Sequence, residues 1–63
     1  MNRIKYMRER AGLTQRKLAD AISVKQSAVA MWENGTNDPT FNKVPLIAKA
    51  LNCRIEDLYE QAN

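Results

Sequence analysis

The chain has 63 residues, one cysteine and no histidine, which excludes an intramolecular disulfide and an ordinary histidine-bearing zinc site. So short a domain buries only roughly 60% of the surface its unfolded form exposes, so stability must come from close-packed helices, helped where possible by a second copy. The net charge of +3 is unevenly placed: residues 1–32 hold seven basic against two acidic side chains, and residues 33–63 three against five.

A basic end favours a polyanion partner, although an ordinary solvated surface accounts for so modest a charge equally well. No apolar run approaches the roughly 18 residues of a membrane span. The start, Met1-Asn2-Arg3-Ile4-Lys5, is charged and unlike a signal segment. The chain is therefore expected in the cytoplasm, nucleoid-associated, with Cys53 a reduced packing residue.

Ile4, Met7 and Ala11 recur at three and four residues and predict a first helix, capped by Asn2 and stopped by Gly12. Thr14 is a good N-cap for a second helix running to Ala21 or Ile22, with Leu18, Ala19 and Ile22 on its inner face. Its capping box is incomplete, because Lys17 stands three residues on. A third helix begins near Lys25, turns Val29 and Trp32 inward and ends at Asn34-Gly35. A competing local choice exists: Ser23-x-x-Gln26 also has capping-box spacing, which would start this helix earlier and turn Gln26 back onto the backbone. Residues 35–40 form a loop. Val44, Ile47, Ala48 and Leu51 mark a fourth helix, whose N-cap falls near Asn42 because Pro45 is tolerated only in a first turn. Asn52 is its exit, and Ile55, Leu58 and Tyr59 fit a short final helix. Trp32 and Phe41 belong in the core on this reading, while Tyr59 packs internally or joins a dimer contact. The expectation is one all-α domain over residues 1–63, compact and five-helical.

Two short helices with a tight bend, in a basic chain without catalytic inventory, point to a reader of duplex DNA. The order Leu13-Thr14-Gln15-x-x-Leu18-Ala19, then Val29-x-x-Trp32-Glu33-Asn34-Gly35, resembles the phage-repressor and Cro-like (Xre-type) helix-turn-helix family. The likeness continues through Pro39-Thr40-Phe41, Ile47-Ala48-Lys49-Ala50-Leu51 and Ile55-Glu56-Asp57-Leu58, and so covers roughly residues 2–60. The resemblance implies a lambda-repressor-like domain with its helix-turn-helix motif at helices 2 and 3. It implies a sequence-specific transcription regulator that binds an operator as a homodimer, with helix 3 in the major groove and half-sites about 34 Å apart.

Carried over residue by residue, the family pattern makes Gln26 the base reader, able to pair bidentately with adenine. Ser27 and Met31 can reach a base edge or a thymine methyl, and Lys25 meets either base or phosphate. Gln15 is expected on phosphate and as a brace for Gln26, with Thr14, Arg16, Asn34, Thr36 and Thr40 as further phosphate contacts. Arg8 and Glu33 occupy positions that form an internal ion pair in relatives; solvated surface charges are the alternative. The loop Thr36-Asn37-Asp38 lacks the basic residue that relatives often use there. Arg16, Lys17, Arg3, Lys5 and Arg10 are undifferentiated sources of replacement charge. Serine at position 23 departs from the glycine common at a left-handed turn.

No nucleophile with a base, glycine-rich phosphate loop or metal-ligand set is legible, so the chain is expected not to be an enzyme and to need no cofactor. Nor is a small-molecule ligand or a membrane partner expected. The leading expectation is a repressor acting as a homodimer on an inverted repeat, dimerising around Cys53 to Tyr59. With nothing after residue 63, control is expected to come from concentration, occupancy, a partner or degradation. The alternative is a protein-interaction module reusing the fold, such as a toxin-binding antitoxin partner. The polar Lys25-Gln26-Ser27 turn favours DNA, since protein interfaces carry aromatic or aliphatic anchors.

Overall fold

The structure, a computed structural model, describes residues 2–59. Its elements are α1 (Ile4–Arg10), α2 (Gln15–Ala21), α3 (Gln26–Asn34), α4 (Val44–Ala50) and a single 3-10 turn over Ile55–Leu58. Helices of seven to nine residues are too short to hold their shape alone in water. What holds them is a shared core of Ile4, Leu18, Ala19, Ile22, Val29, Trp32, Val44, Ile47, Ala48, Leu51 and Leu58. The α2–α3 contact is the most extensive between elements.

Each helix is ended by a residue in the left-handed region: Gly12, Ser23, Gly35 and Asn52. After α1, Gly12 N–H donates to Glu9 O and Leu13 N–H to Arg8 O. The same two-bond closure follows α2, from Ser23 N–H to Asp20 O and Val24 N–H to Ala19 O, and α4, from Asn52 N–H to Lys49 O and Cys53 N–H to Ala48 O. This is the Schellman arrangement, which satisfies carbonyls a helix end would otherwise leave open. Thr14 caps the start of α2, its hydroxyl accepting from Lys17 N–H at 3.1 Å. Asn2 lies one residue before the N-cap position of α1, and its Oδ1 accepts from Ile4 N–H at 3.0 Å.

Several sequence expectations are corrected. The final helix is one 3-10 turn, so the count is four α-helices plus that turn. Tyr59 is extended and bridges Asn2, and Leu58 O accepts from Arg3 N–H, so long-range pairing takes over where another helical turn would begin. α4 starts one residue later than expected, with Lys43 as N-cap. Asn42 Oδ1 instead accepts from the Thr40 hydroxyl at 2.7 Å. Phe41, expected in the core, is 92% exposed; Pro39 and Val44 on either side take the buried positions. Ala11 is exposed, and Arg8 joins Ile4 on the inner face of α1.

Ser23, at φ 60°, bears the main backbone strain within the helix-turn-helix bend. A left-handed L-residue costs roughly 1–2 kcal/mol, and glycine's extra chain entropy returns about half of that. Ser23→Gly is therefore expected to stabilise the fold by roughly 0.5–1 kcal/mol and raise the Tm by several degrees. A lower Tm in thermal circular dichroism would contradict this account of the bend.

Candidate nucleic-acid interface

The frame of the site is a buried ion pair. Arg8 Nε donates to Glu33 Oε2 at 2.7 Å and Arg8 Nη2 to Glu33 Oε1 at 3.0 Å, a two-point contact between α1 and the end of α3. Arg8 Nη1 donates to Leu13 O at 2.7 Å, and Gln15 Nε2 donates to Glu33 Oε1 at 3.1 Å. Both side chains are nearly sealed, at 10% and 4% exposure, and no buried side-chain polar atom among the described residues lacks a partner. Hydrogen bonding to Glu33 raises the Arg8 pKa above its ordinary value, against the opposing effect of burial. A raised pKa contributes stability at every lower pH and loses it only as pH climbs through the folded value. For an arginine that lies beyond ordinary working conditions, so the cation is permanent.

This frame fixes how α3 is presented. Val29 and Trp32 are buried, whereas Gln26, Ser27 and Met31 are exposed. Lys25 is the N-cap of α3, and no side chain caps the helix start. The capping-box alternative is not adopted: Ser23 belongs to the left-handed turn, and Gln26 projects outward as the first helical residue. Lys25, Gln26 and Ser27 thus form an exposed polar tip.

The expected phosphate-contact residues fall around it. Thr14 and Arg16 are exposed at the start of α2, but the Thr14 hydroxyl oxygen already serves as that helix's cap. Gln15 is tied to Glu33, so its expected bracing of Gln26 is replaced by a bond to the frame. Asn34 Oδ1 accepts from Thr36 N–H at 2.9 Å and from the Thr36 hydroxyl at 2.5 Å, folding the loop back on the end of α3. Thr40 is exposed and committed to Asn42.

Two of the five undifferentiated cations are accounted for elsewhere. Arg3 lies over the Tyr6 ring at 4.6 Å, and Arg10 approaches the Tyr6 hydroxyl at 3.5 Å. Both line a cleft with Met7, Asn52, Cys53 and Asp57, away from the α3 tip. Cys53 packs against the core, and burial, then the charge of Asp57, pushes its thiol pKa up. Sequence reasoning named Asn2 as a helix cap but missed its second role: Nδ2 donates to Trp32 O at 2.9 Å and ties the chain start to α3. No local signal marks that bond, since its partners stand 30 residues apart.

Two helices joined by a left-handed turn, the second with a buried apolar side and an open polar tip, define a helix-turn-helix protein. The helix-turn-helix family profile matches residues 4–58, and the chain belongs to that family. It is 35% identical over 57 residues to an uncharacterised HTH-type transcriptional regulator of Archaeoglobus fulgidus, across 90% of this chain and 81% of that protein. It is 37% identical over 51 residues to the HTH-type transcriptional regulator DicA of Escherichia coli, covering 81% of this chain but 38% of DicA. A third relative, the competence pilus inhibition repressor of Acinetobacter baylyi, is 30% identical over 56 residues, 89% of this chain and 51% of that repressor. No described helix is long and apolar enough to cross a membrane.

Removing one partner from a sealed ion pair leaves the other charge buried, at a cost of roughly 3–5 kcal/mol. Glu33→Ala is expected to leave the chain largely unfolded at 37 °C. Arg8→Met combined with Glu33→Met should recover much of the loss, because no charge is then stranded. An unchanged melting curve for Glu33→Ala would refute the role given to this pair.

Proposed function

We propose that this chain is a sequence-specific double-stranded-DNA-binding regulator of transcription, acting as a repressor and as a homodimer on an inverted-repeat operator. The observation that carries the reading is the polar tip of α3, Lys25-Gln26-Ser27, exposed on a helix whose other side is buried in the core. Folding makes no use of these side chains, so they are available to a ligand.

On this reading α3 enters the major groove and α2 crosses the phosphate backbone. Gln26 reads a base pair, its amide donating to and accepting from adenine; Ser27 and Met31 lie beside it, and Lys25 meets base or phosphate. Gln15, Arg16, Thr14 and the Asn34–Thr40 segment position the backbone without reading sequence. The relatives named as transcriptional regulators, and the one named as a repressor, support the same class. Repression needs nothing further, since an occupied operator obstructs polymerase. The chain on this reading binds and does not catalyse.

Support for a homodimer comes from an apolar face between the start of α4 and the 3-10 turn. Phe41, Val44, Pro45, Ile55 and Tyr59 line a shallow groove, with Phe41 almost wholly exposed. Ile55 and Tyr59 lie within the expected dimer segment; Phe41 and the start of α4 were not anticipated. A two-fold axis would set the projecting ring of each copy against the other's groove, a self-complementary contact. The face is small: a fully exposed aromatic ring offers about 200 Å², and the half-exposed neighbours offer less. It falls short of the roughly 800 Å² per partner of a standard interface, so dimers should form chiefly on DNA.

Selection of bound duplexes from a random pool tests the reading as a whole. A paired consensus with half-sites about one helical turn apart is expected, and recovery of no preferred sequence would overturn it. Gln26→Ala is expected to relax preference at one base pair per half-site, a loss of roughly 1–3 kcal/mol of discrimination, with non-specific affinity nearly intact. Equal weakening on all sequences would refute the base-reading role. Phe41→Asp should abolish cooperative filling of two half-sites while a single half-site is bound as before. Unchanged cooperativity would remove this face from the dimer.

A further inference from the structure

The cleft beside Tyr6 has a volume of about 340 Å³ and lies between α1 and the 3-10 turn. Arg3, Tyr6 and Arg10 stand three and four residues apart, and so on one side of α1. Both guanidinium groups are gathered to the one ring, Arg3 over its face at 4.6 Å and Arg10 Nη1 at 3.5 Å from its hydroxyl. Stacking leaves the N–H edge of a guanidinium open, and the hydroxyl contact engages a single nitrogen of Arg10. Neither arginine has a carboxylate partner: the ion pairs among the described residues are Arg8 with Glu33 and Arg54 with Asp57. Asp57, the acid in the lining, is answered within its own turn, its Oδ2 accepting from Arg54 N–H at 3.0 Å with Arg54 Nε at 3.7 Å. The opening therefore presents two uncompensated cations.

The rest of the lining suits a chain laid across it better than an enclosed small molecule. Met7 and Cys53, packed against the core, make an apolar floor, while Tyr6 is half-exposed and Arg10 and Asn52 are exposed at the rim. The Asn52 side-chain amide makes no hydrogen bond among the described residues. It offers a donor and an acceptor, the pair that an extended main chain presents in return. Arg3 and Arg10 are about 10 Å apart along the helix axis, and their end groups lean inward to Tyr6. Carboxylates on alternate residues of an extended segment, about 7 Å apart, span that interval.

We propose that this cleft is a docking site for an acidic segment of a partner protein, with carboxylates on Arg3 and Arg10 and main chain on Asn52. Each guanidinium meets a carboxylate at two points. No residue of α2 or α3 lines the cleft, so it and the α3 tip can be occupied together. The proposal is independent of the DNA-binding reading and goes beyond it: the acidic partner binds with or without a duplex.

The test is amide NMR of the isotope-labelled chain titrated with hexaglutamate, blocked at both ends, at about 50 mM salt, where exposed charges are weakly screened. Saturable shifts are expected at Arg3 to Arg10 and Asn52 to Asp57. Arg10→Gln should weaken the peptide about tenfold, the loss of one charge-assisted contact, with the Tm unchanged. Arg3→Gln combined with Arg10→Gln should abolish saturation; if that double variant fails to fold, the single variant decides. Lys17→Gln removes the same charge from α2 and should leave the peptide affinity unaltered. A mixed-sequence duplex should not displace the peptide. Absence of saturable shifts, shifts confined to α2 and α3, or equal affinity in Arg10→Gln and wild type would overturn the proposal. So would displacement by the duplex, which would make the cleft a phosphate surface, or equally tight binding of a single blocked glutamate, which would make it a small-molecule site.

Discussion

The contact between Arg8 and Glu33 adds a polar lock to three elements, α1, α2 and α3, that also share the apolar core. Arg8 comes from the middle of α1, Glu33 from the end of α3, and Gln15 and Leu13 O from the entry to α2. Guanidinium and carboxylate meet in a two-point geometry that a lysine could not reproduce. Withdrawing both from water is costly, and that cost is offset only because the donors and acceptors are matched. The angle between α2 and α3 follows from this lock and from the apolar contact of Leu18, Ala19 and Ile22 with Val29 and Trp32. A misaligned pair would leave a charge stranded, so few other arrangements of the helices are open to the chain.

The rest of the architecture is a solution to brevity. Short helices have a high proportion of unsatisfied backbone groups at their ends. Here left-handed residues close all four helices, and Thr14 and Asn2 meet open donors at helix starts. The starts of α3 and α4 have no side-chain cap. The polar tip of α3 makes no contribution to the core, so Lys25, Gln26 and Ser27 are open to the partner proposed for them. Stability and recognition are thereby separated along a single helix, inward at Val29 and Trp32, outward at the tip.

That separation extends to charge. Arg8 is consumed inside, and Arg3 and Arg10 gather around Tyr6 on another face. On the proposed reading, the exposed cations left for DNA in the basic half are Lys5, Arg16, Lys17 and Lys25. Gln15 and Asn34, the neutral donors of the proposed docking surface, are oriented by hydrogen bonds within the protein.

The amino-acid order alone determined whatever depends on neighbours within a turn or two. The helical spacing of Leu18, Ile22, Val29 and Trp32, the Thr14 cap and the stops at Gly12, Gly35 and Asn52 are local, because helical hydrogen bonds and caps join residues a few positions apart. The family likeness added the Arg8 and Glu33 positions. Only the tertiary structure decided which of two local options Ser23 and Gln26 took, that Phe41 points into solvent, that Arg8 lies where Ala11 was expected, and that Gln15 serves Glu33. It also cut the last helix to a single turn, through the pairing of Arg3 with Leu58. Each of these turns on groups far apart in the chain, whose meeting depends on how all the helices pack together, and no short-range pattern encodes it.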